Sequence, residues 1–76
     1  MQTMIELAIY FDNPEIPPVV VVTDAMPRDV DPLTLEWFGD DLWDVVSDLR
    51  AAAEKKLGTP ALDEQVFIRI FTRPDA

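Results

Sequence analysis

The chain concentrates acidic and aromatic side chains in residues 24–48, where carboxylates could hold a cation, exchange protons or attract a basic partner. Eight acids stand there against one base, Arg28. The acids are Asp24, Asp29, Asp31, Glu36, Asp40, Asp41, Asp44 and Asp48. Trp37, Phe38 and Trp43 lie among them. No other stretch gathers charge in this way, so residues 24–48 are the first candidate for a functional surface.

Most enzymatic chemistry lacks its usual side chains in this sequence. There is no His and no Cys, so the common general base and the soft metal ligands are missing. The single serine, Ser47, has no base beside it in the predicted helix. Gly39 and Gly58 are the only glycines and are too far apart for a phosphate-binding loop. We therefore predict no enzymatic activity, no catalytic residue and no cofactor.

The carboxylates also make a poor metal site. Asp29 and Asp31 resemble the start of a calcium loop, but the next ligand, the glycine and the final glutamate that such a loop needs are missing. The pairs Asp40/Asp44 and Asp41/Asp44 could hold a divalent cation only weakly. We predict no metal ligand, and keep such a weak pair as the least favoured alternative.

Length and composition favour one small domain spanning residues 1–76. The absence of Cys fits a cytosolic protein, and the first eleven residues carry Glu6 and no basic leader. No apolar run approaches the roughly 18 residues of a membrane span. We expect a cytoplasmic protein without a membrane segment.

Net charge limits the choice of partner. With 15 acids, 6 bases and a formal charge of −9, the chain repels nucleic-acid phosphates and anionic membrane surfaces. We therefore expect no direct binding to nucleic acid or membrane, and a preference for a basic protein.

Three segments have the pattern of β-strands. Residues 3–11 alternate in polarity, which places four side chains toward a core: Ile5, Leu7, Ile9 and Phe11. Residues 19–23 hold four consecutive valines after two prolines, which favours an edge strand. Residues 65–72 alternate again, and Arg69 there is expected to be exposed or paired with Glu6.

One long helix, residues 32–57, is predicted between the second and third strands. Asp31 is a good N-cap, and Pro32 suits the first helical position. An apolar stripe recurs at intervals of three and four: Leu35, Phe38, Leu42, Val45, Val46, Leu49, Ala53 and Leu57. Gly39 either kinks this helix or divides it into a short turn and a longer helix capped by Asp40.

The end of the helix and the fold follow from the same rules. Lys55 and Lys56 suit a last helical turn, and Gly58 suits a left-handed C-cap. The element order β-β-α-β with a right-handed crossover predicts an α+β fold. We expect a mostly antiparallel three-stranded sheet of order 2-1-3, with one face covered by the helix.

On a continuous helix one face would carry Trp37 and four acids, Asp40, Asp41, Asp44 and Asp48, with Glu36 at its margin. They could be a solvated surface whose charges complement the helix dipole. They could instead form a docking ridge, because like charges one turn apart destabilise a helix and a purely structural surface would use Glu and Lys. Trp37 would either cover a neighbouring loop or anchor an interface, and Trp43 is predicted to lie in the core.

The functional prediction is a non-enzymatic acidic protein that inhibits or modulates a basic nucleic-acid-binding protein or complex. Its carboxylates would mimic nucleic-acid phosphates, and its partner-binding residues would be Glu36, Trp37, Asp40, Asp41, Asp44 and Asp48. In size, charge and lack of catalytic groups, the chain resembles the small acidic proteins by which phages block restriction or CRISPR complexes. This anti-CRISPR-like resemblance includes no residue motif.

The alternative is a structural or assembly protein that dimerises or joins a complex. It would use the sheet face that the helix leaves open, where Tyr10, Phe67 and Phe71 form an apolar patch.

Overall fold

Three strands and one helix follow each other as β1 (Gln2–Ile9), β2 (Val19–Asp24), α1 (Leu42–Leu57) and β3 (Val66–Arg73). A computed structural model of the chain describes residues 2–25, 29–31 and 33–74. The strands form one sheet of order β2-β1-β3, and a single 3₁₀ turn, Asp63–Gln65, leads into β3. The predicted α+β fold and strand order are confirmed.

The core lies between β1 and the helix. β1 is antiparallel to both of its neighbours, with Leu7 opposite Val21 on β2 and Ile68 on β3. The inward face predicted for β1 is confirmed for Ile5, Leu7 and Ile9, which are fully buried, while Phe11 follows the strand and is half-buried. Met4 and Ala8 of the opposite face are buried as well, so burial does not alternate along β1. Leu49, Ala53 and Ala61 complete the buried cluster, so the helix covers one face of the sheet and leaves the other open.

The C-terminal end of α1 agrees with the sequence. Gly58 adopts a left-handed conformation (φ 91°), and its N–H donates to the carbonyl of Glu54 at 2.8 Å. Lys55 and Lys56 lie in the last turn, where their charge complements the helix dipole.

The N-terminal end does not agree, because α1 begins at Leu42 with Asp41 as its N-cap residue. Asp31 does start one turn: its Oδ1 accepts from the N–H of Leu33 at 2.9 Å, and its carbonyl accepts from the N–H of Leu35 at 2.7 Å. Leu35 then adopts φ 57°, a left-handed conformation that ends the turn. Pro32 lies outside the described residues.

Residues 29–31 and 33–41 therefore belong to a folded loop instead of the first part of a helix. Val30 and Trp37 make an isolated antiparallel bridge, and the N–H of Phe38 donates to the carbonyl of Asp29 at 2.8 Å. Val30 is buried, which fixes the loop against the domain. Leu35 and Phe38, predicted for the helical stripe, belong to this loop, and the prediction of a continuous helix from residue 32 is wrong. Of the two predictions for Gly39, the division into a short turn and a longer helix matches the structure, with the longer helix capped at Asp41 and not at Asp40.

A polar cluster attaches the helix to the segment that enters β3. Arg50 donates to Asp63 at 2.7 Å and to the carbonyl of Ala61 at 2.6 Å, while Glu54 accepts from the N–H of Ala61 at 2.6 Å. The hydrogen bond to Asp63 raises the pKa of the Arg50 guanidinium, which stays charged. These hydrogen bonds fix the segment that leads from α1 back to the sheet at β3.

Within the described residues, no helix has both the length and the apolar character needed to cross a bilayer.

Gly39 is required by close packing and not by a helix kink. A Cβ added there would lie 2.8 Å from Cγ of Asp29, which is only 7% exposed and has little room to move. This explains why a glycine follows the Val30–Trp37 bridge.

We expect Gly39→Ala to lower the free energy of unfolding by about 1–3 kcal/mol through overpacking. In urea unfolding, the midpoint should fall. Without the clash, the substitution would stabilise the protein by reducing the entropy of the unfolded chain. The sign of the change in the free energy of unfolding therefore shows whether the clash exists. The double variant Asp29→Ala/Gly39→Ala removes Cγ of Asp29. Its loss of unfolding free energy should therefore be smaller than the sum of the losses in the two single variants. A Gly39→Ala protein as stable as the wild type contradicts this reading.

Candidate protein-binding surface

The acidic residues predicted to line one helical face are divided between two structures. Asp44 and Asp48 lie on α1, one turn apart, and both are exposed. Asp40 is exposed in the turn before the helix, and Asp41 is half-buried, with its carbonyl accepting the helical hydrogen bond from Val45 at 3.1 Å. Glu36 is exposed in the loop. The regular row of four helical carboxylates is therefore reduced to Asp44 and Asp48.

The two tryptophans have different environments. Trp43 is 75% exposed, so its predicted place in the core is wrong. It stands in the first turn of α1, about 120° around the helix from the buried Leu49. Trp37 is half-buried, packs against the core cluster and pairs with Val30 in the bridge. Of the two interpretations of Trp37, its surroundings match the cover over a loop.

Exposed apolar side chains accompany the acids. Leu33 is 92% exposed and Phe38 is 61% exposed, and Trp43 follows five residues later. We call residues 33–48 the acidic-aromatic segment; it exposes these three side chains together with Glu36, Asp40, Asp44 and Asp48. A large exposed indole and phenyl ring among carboxylates is typical of a surface that anchors a partner.

Ion pairs within the domain use other acids. Among the described residues, Arg69 pairs with Glu6, and Arg50 pairs with Glu54 and Asp63. The prediction that Arg69 could pair with Glu6 is confirmed. None of these pairs draws on a carboxylate of the acidic-aromatic segment, so its negative charge is not neutralised by Arg50 or Arg69.

The interior of the loop before α1 is polar and incompletely hydrogen-bonded. Asp29 Oδ2, Trp37 Nε1 and Asp41 Oδ1 are buried without a hydrogen-bond partner among the described residues. Such atoms reduce stability, so the loop depends on the apolar burial of Val30 and Trp37.

The carboxylates do not gather into a metal cage. In the part of the chain that the structure describes, no three or more Asp or Glu side chains are placed to hold a metal ion. A cation at Asp40/Asp44 or Asp41/Asp44 would have at most two carboxylate ligands, fewer oxygen ligands than calcium takes.

The open sheet face carries a second group of aromatic residues. The rings of Tyr10 and Phe67 meet edge to face with centroids 5.3 Å apart, and both residues are exposed. The guanidinium of Arg69 lies 4.6 Å from the ring centroid of Phe71, which is half-buried. The pairing of Arg69 with Glu6 also places a neutralised ion pair in the middle of this face.

Comparison with protein-family models, curated proteins and solved structures found no match to this chain.

Leu33, Phe38 and Trp43 were not predicted as surface residues, because Leu33 and Phe38 were placed on a long helix and Trp43 in the core. For Leu33 and Phe38 the signal is the Gly39-Asp40-Asp41 turn, which the sequence offered as one of two alternatives and which places both residues before the helix. For Trp43 the signal is its place at the border of the apolar stripe, about 120° from Leu49.

The two tryptophans should be distinguishable by fluorescence. The Trp37→Phe protein retains only Trp43, which should emit at long wavelength and be strongly quenched by acrylamide because water surrounds it. The Trp43→Phe protein retains only Trp37, which should emit at shorter wavelength and be protected. Trp43→Ala should change the free energy of unfolding by less than about 0.5 kcal/mol, whereas Trp37→Ala should cost more than about 1 kcal/mol. Equal quenching of the two single-tryptophan proteins would falsify the assignment.

Proposed function

We propose that this protein is a non-enzymatic binding protein that docks its acidic-aromatic segment onto a basic, nucleic-acid-binding protein or ribonucleoprotein complex and so inhibits or modulates it. The observation that supports this most directly is Trp43, 75% exposed in the first turn of α1 between the exposed Asp40 and Asp44.

The aromatic side chains would supply most of the binding energy. Tryptophan is enriched among the few residues that dominate protein interfaces, because it buries a large area with little loss of side-chain entropy. Trp43 and Phe38 are available for this role without unfolding, since each is already exposed. Burying them would remove apolar surface from water at about 25 cal/mol per Å².

The carboxylates would supply attraction and selectivity. A formal charge of −9 gives the protein a long-range pull on basic surfaces, and the exposed Asp40, Asp44 and Asp48 would meet Lys and Arg at the contact. Asp44 and Asp48, one helical turn apart, would occupy positions that a basic groove offers to neighbouring phosphates. Inhibition by phosphate mimicry, as in anti-CRISPR or anti-restriction proteins of phages, is the mechanism within this proposal. A cytoplasmic site of action belongs to the same proposal.

Matched charge variants test this function. Tagged wild-type protein would capture partners from nuclease-treated lysate of the native host, and mass spectrometry would identify them. The triple variant Asp40→Asn/Asp44→Asn/Asp48→Asn should lose capture of a basic nucleic-acid-binding protein by at least about tenfold. The control Asp12→Asn/Glu15→Gln/Glu64→Gln removes the same charge from exposed acids elsewhere and should retain capture.

Trp43→Ala should weaken the same capture while leaving net charge and fold unchanged. The identified partner's binding to its DNA or RNA would then be measured with each variant, and only the wild type and the charge control should inhibit it. Equal loss in both triple variants would show nonspecific charge attraction, and full capture by the Asn variant would remove the proposal.

A second candidate function is assembly through the open sheet face, which the exposed Tyr10–Phe67 pair favours. Apolar packing should hold or strengthen with salt, whereas docking by carboxylates should weaken. Tyr10→Ala/Phe67→Ala should abolish complex formation by apolar packing on the sheet face and should leave docking by carboxylates intact. Capture that resists high salt and is lost in this double variant would favour assembly over inhibition.

A further inference from the structure

The two edges of the sheet present different backbone groups to solvent. The N–H of Tyr10 donates to the carbonyl of Gln65, and the N–H of Ala25 donates to the carbonyl of Thr3. Because hydrogen bonding alternates along an antiparallel strand, Phe67, Arg69 and Phe71 bond to β1. The N–H and C=O groups of Ile68, Ile70 and Thr72 therefore point away from the sheet. The same alternation turns Val20 and Val22 outward on β2.

The β2 edge is protected against further pairing. Lys56 Nζ lies 3.4 Å from the outward carbonyl of Val20 as a hydrogen-bond donor, and Pro17 and Pro18 precede the strand. Lysine and proline are the residues that commonly protect edge strands. β3 has neither within Val66–Arg73, although Pro74 follows its last residue, and its register with β1 runs without a bulge. Among the described residues, no hydrogen bond reaches the outward groups of Ile68, Ile70 or Thr72.

β3 also exposes apolar side chains on both of its faces. Phe67 is 57% exposed on the open face, and its neighbour Ile68 is 40% exposed on the helix side. Ile68 is uncovered because α1 packs over β2 and β1. A layer stacked on the open face would cover Phe67 and leave Ile68 in water. A strand added at the edge would flank both residues, since its side chains alternate between the same two faces.

We propose that the outer edge of β3 is a strand-addition site for a second copy of this chain, forming a two-fold dimer with a continuous six-stranded sheet. A two-fold axis at Ile70 pairs each chain's outward groups, with Ile70 opposite Ile70 and Ile68 opposite Thr72 of the second copy. On the open face it places Arg69 opposite Phe71 and Phe67 opposite Arg73 of the second copy. No two like charges then face each other directly.

Charge opposes self-association less at this edge than at the acidic surfaces of the chain. Val66–Arg73 contains two arginines and no acid, in a chain whose formal charge is −9. It is therefore a surface by which two copies can meet with little acidic repulsion. One strand of eight residues gives a small contact, so the dimer should be reversible and strengthened by salt, which screens repulsion between the two chains.

The test compares two exposed β-branched residues of opposite edges, Ile68→Lys on β3 and Val22→Lys on β2, which are 40% and 43% exposed in the wild type. Molar mass would be measured by sedimentation from micromolar to millimolar concentration, at low and moderate salt, with circular dichroism to confirm folding. The wild type and Val22→Lys should dimerise alike, and Ile68→Lys should raise the dimer Kd at least about tenfold. Amide exchange of Ile68, Ile70 and Thr72 should slow as concentration rises, while that of Val20 and Val22 should not.

If Ile68→Lys fails to fold, Thr72→Pro replaces it, because this substitution removes an N–H that points outward and makes no bond within the sheet. A monomeric wild type at millimolar concentration overturns the proposal. So does an unaffected Ile68→Lys protein, or loss of the dimer through Val22→Lys, which would instead indicate the β2 edge or the open face.

Discussion

Burial of one face of β1 beneath α1 is the interaction on which the other features depend. Ile5, Leu7 and Ile9 are inaccessible to water and contribute about 1.5–3 kcal/mol each. Leu49 and Ala53 supply the opposing surface, and both belong to the part of α1 after its first two turns. This contact sets the position of the helix. It also determines which side chains of its first turn point to solvent, and it leaves the flank of β3 uncovered.

The loop before α1 is positioned by the same core but is less firmly held. Val30 and Trp37 join it to the domain, whereas three of its buried polar atoms have no hydrogen-bond partner among the described residues and Leu35 adopts an unfavourable left-handed conformation. Left-handed backbone at a non-glycine residue costs on the order of 1–3 kcal/mol. Strained and incompletely satisfied segments are common at binding sites, and this one leads directly to Trp43. The strain and the exposed indole therefore occur in the same region that carries the concentrated acids.

The sequence predicted the sheet and the end of the helix because local rules and tertiary packing agree there. Alternation in β1, the valines of β2 and the left-handed glycine at residue 58 each indicated the structure that forms. It did not decide where the helix begins, since Gly39 allowed either a kinked helix from residue 32 or a short turn and a longer helix, and the structure has the second. The capping interaction at Asp31 does form, but Leu35 ends the turn and the burial of Val30 and Trp37 draws the chain into a loop. Capping and propensity rules predict the cap at Asp31, but they do not predict the Val30–Trp37 bridge, because it depends on tertiary packing.

The candidate surface was therefore predicted in composition but not in arrangement. Asp44 and Asp48 were placed correctly on an exposed helix, while Trp43 was placed in the core and the row of carboxylates was extended through a loop. Periodicity placed Trp43 at the border of the apolar stripe and did not show whether the fold covers that border. The free edge of β3 was also invisible to periodicity, because it depends on which strands the helix covers.

Hydrogen exchange in the complex with a captured basic partner would show whether the acidic-aromatic segment forms the contact. Binding should slow the exchange of amides within residues 33–48, while β1 and β3 exchange as they do in the free protein. Protection that falls on the open sheet face or on β3, with residues 33–48 unchanged, would contradict the proposed contact.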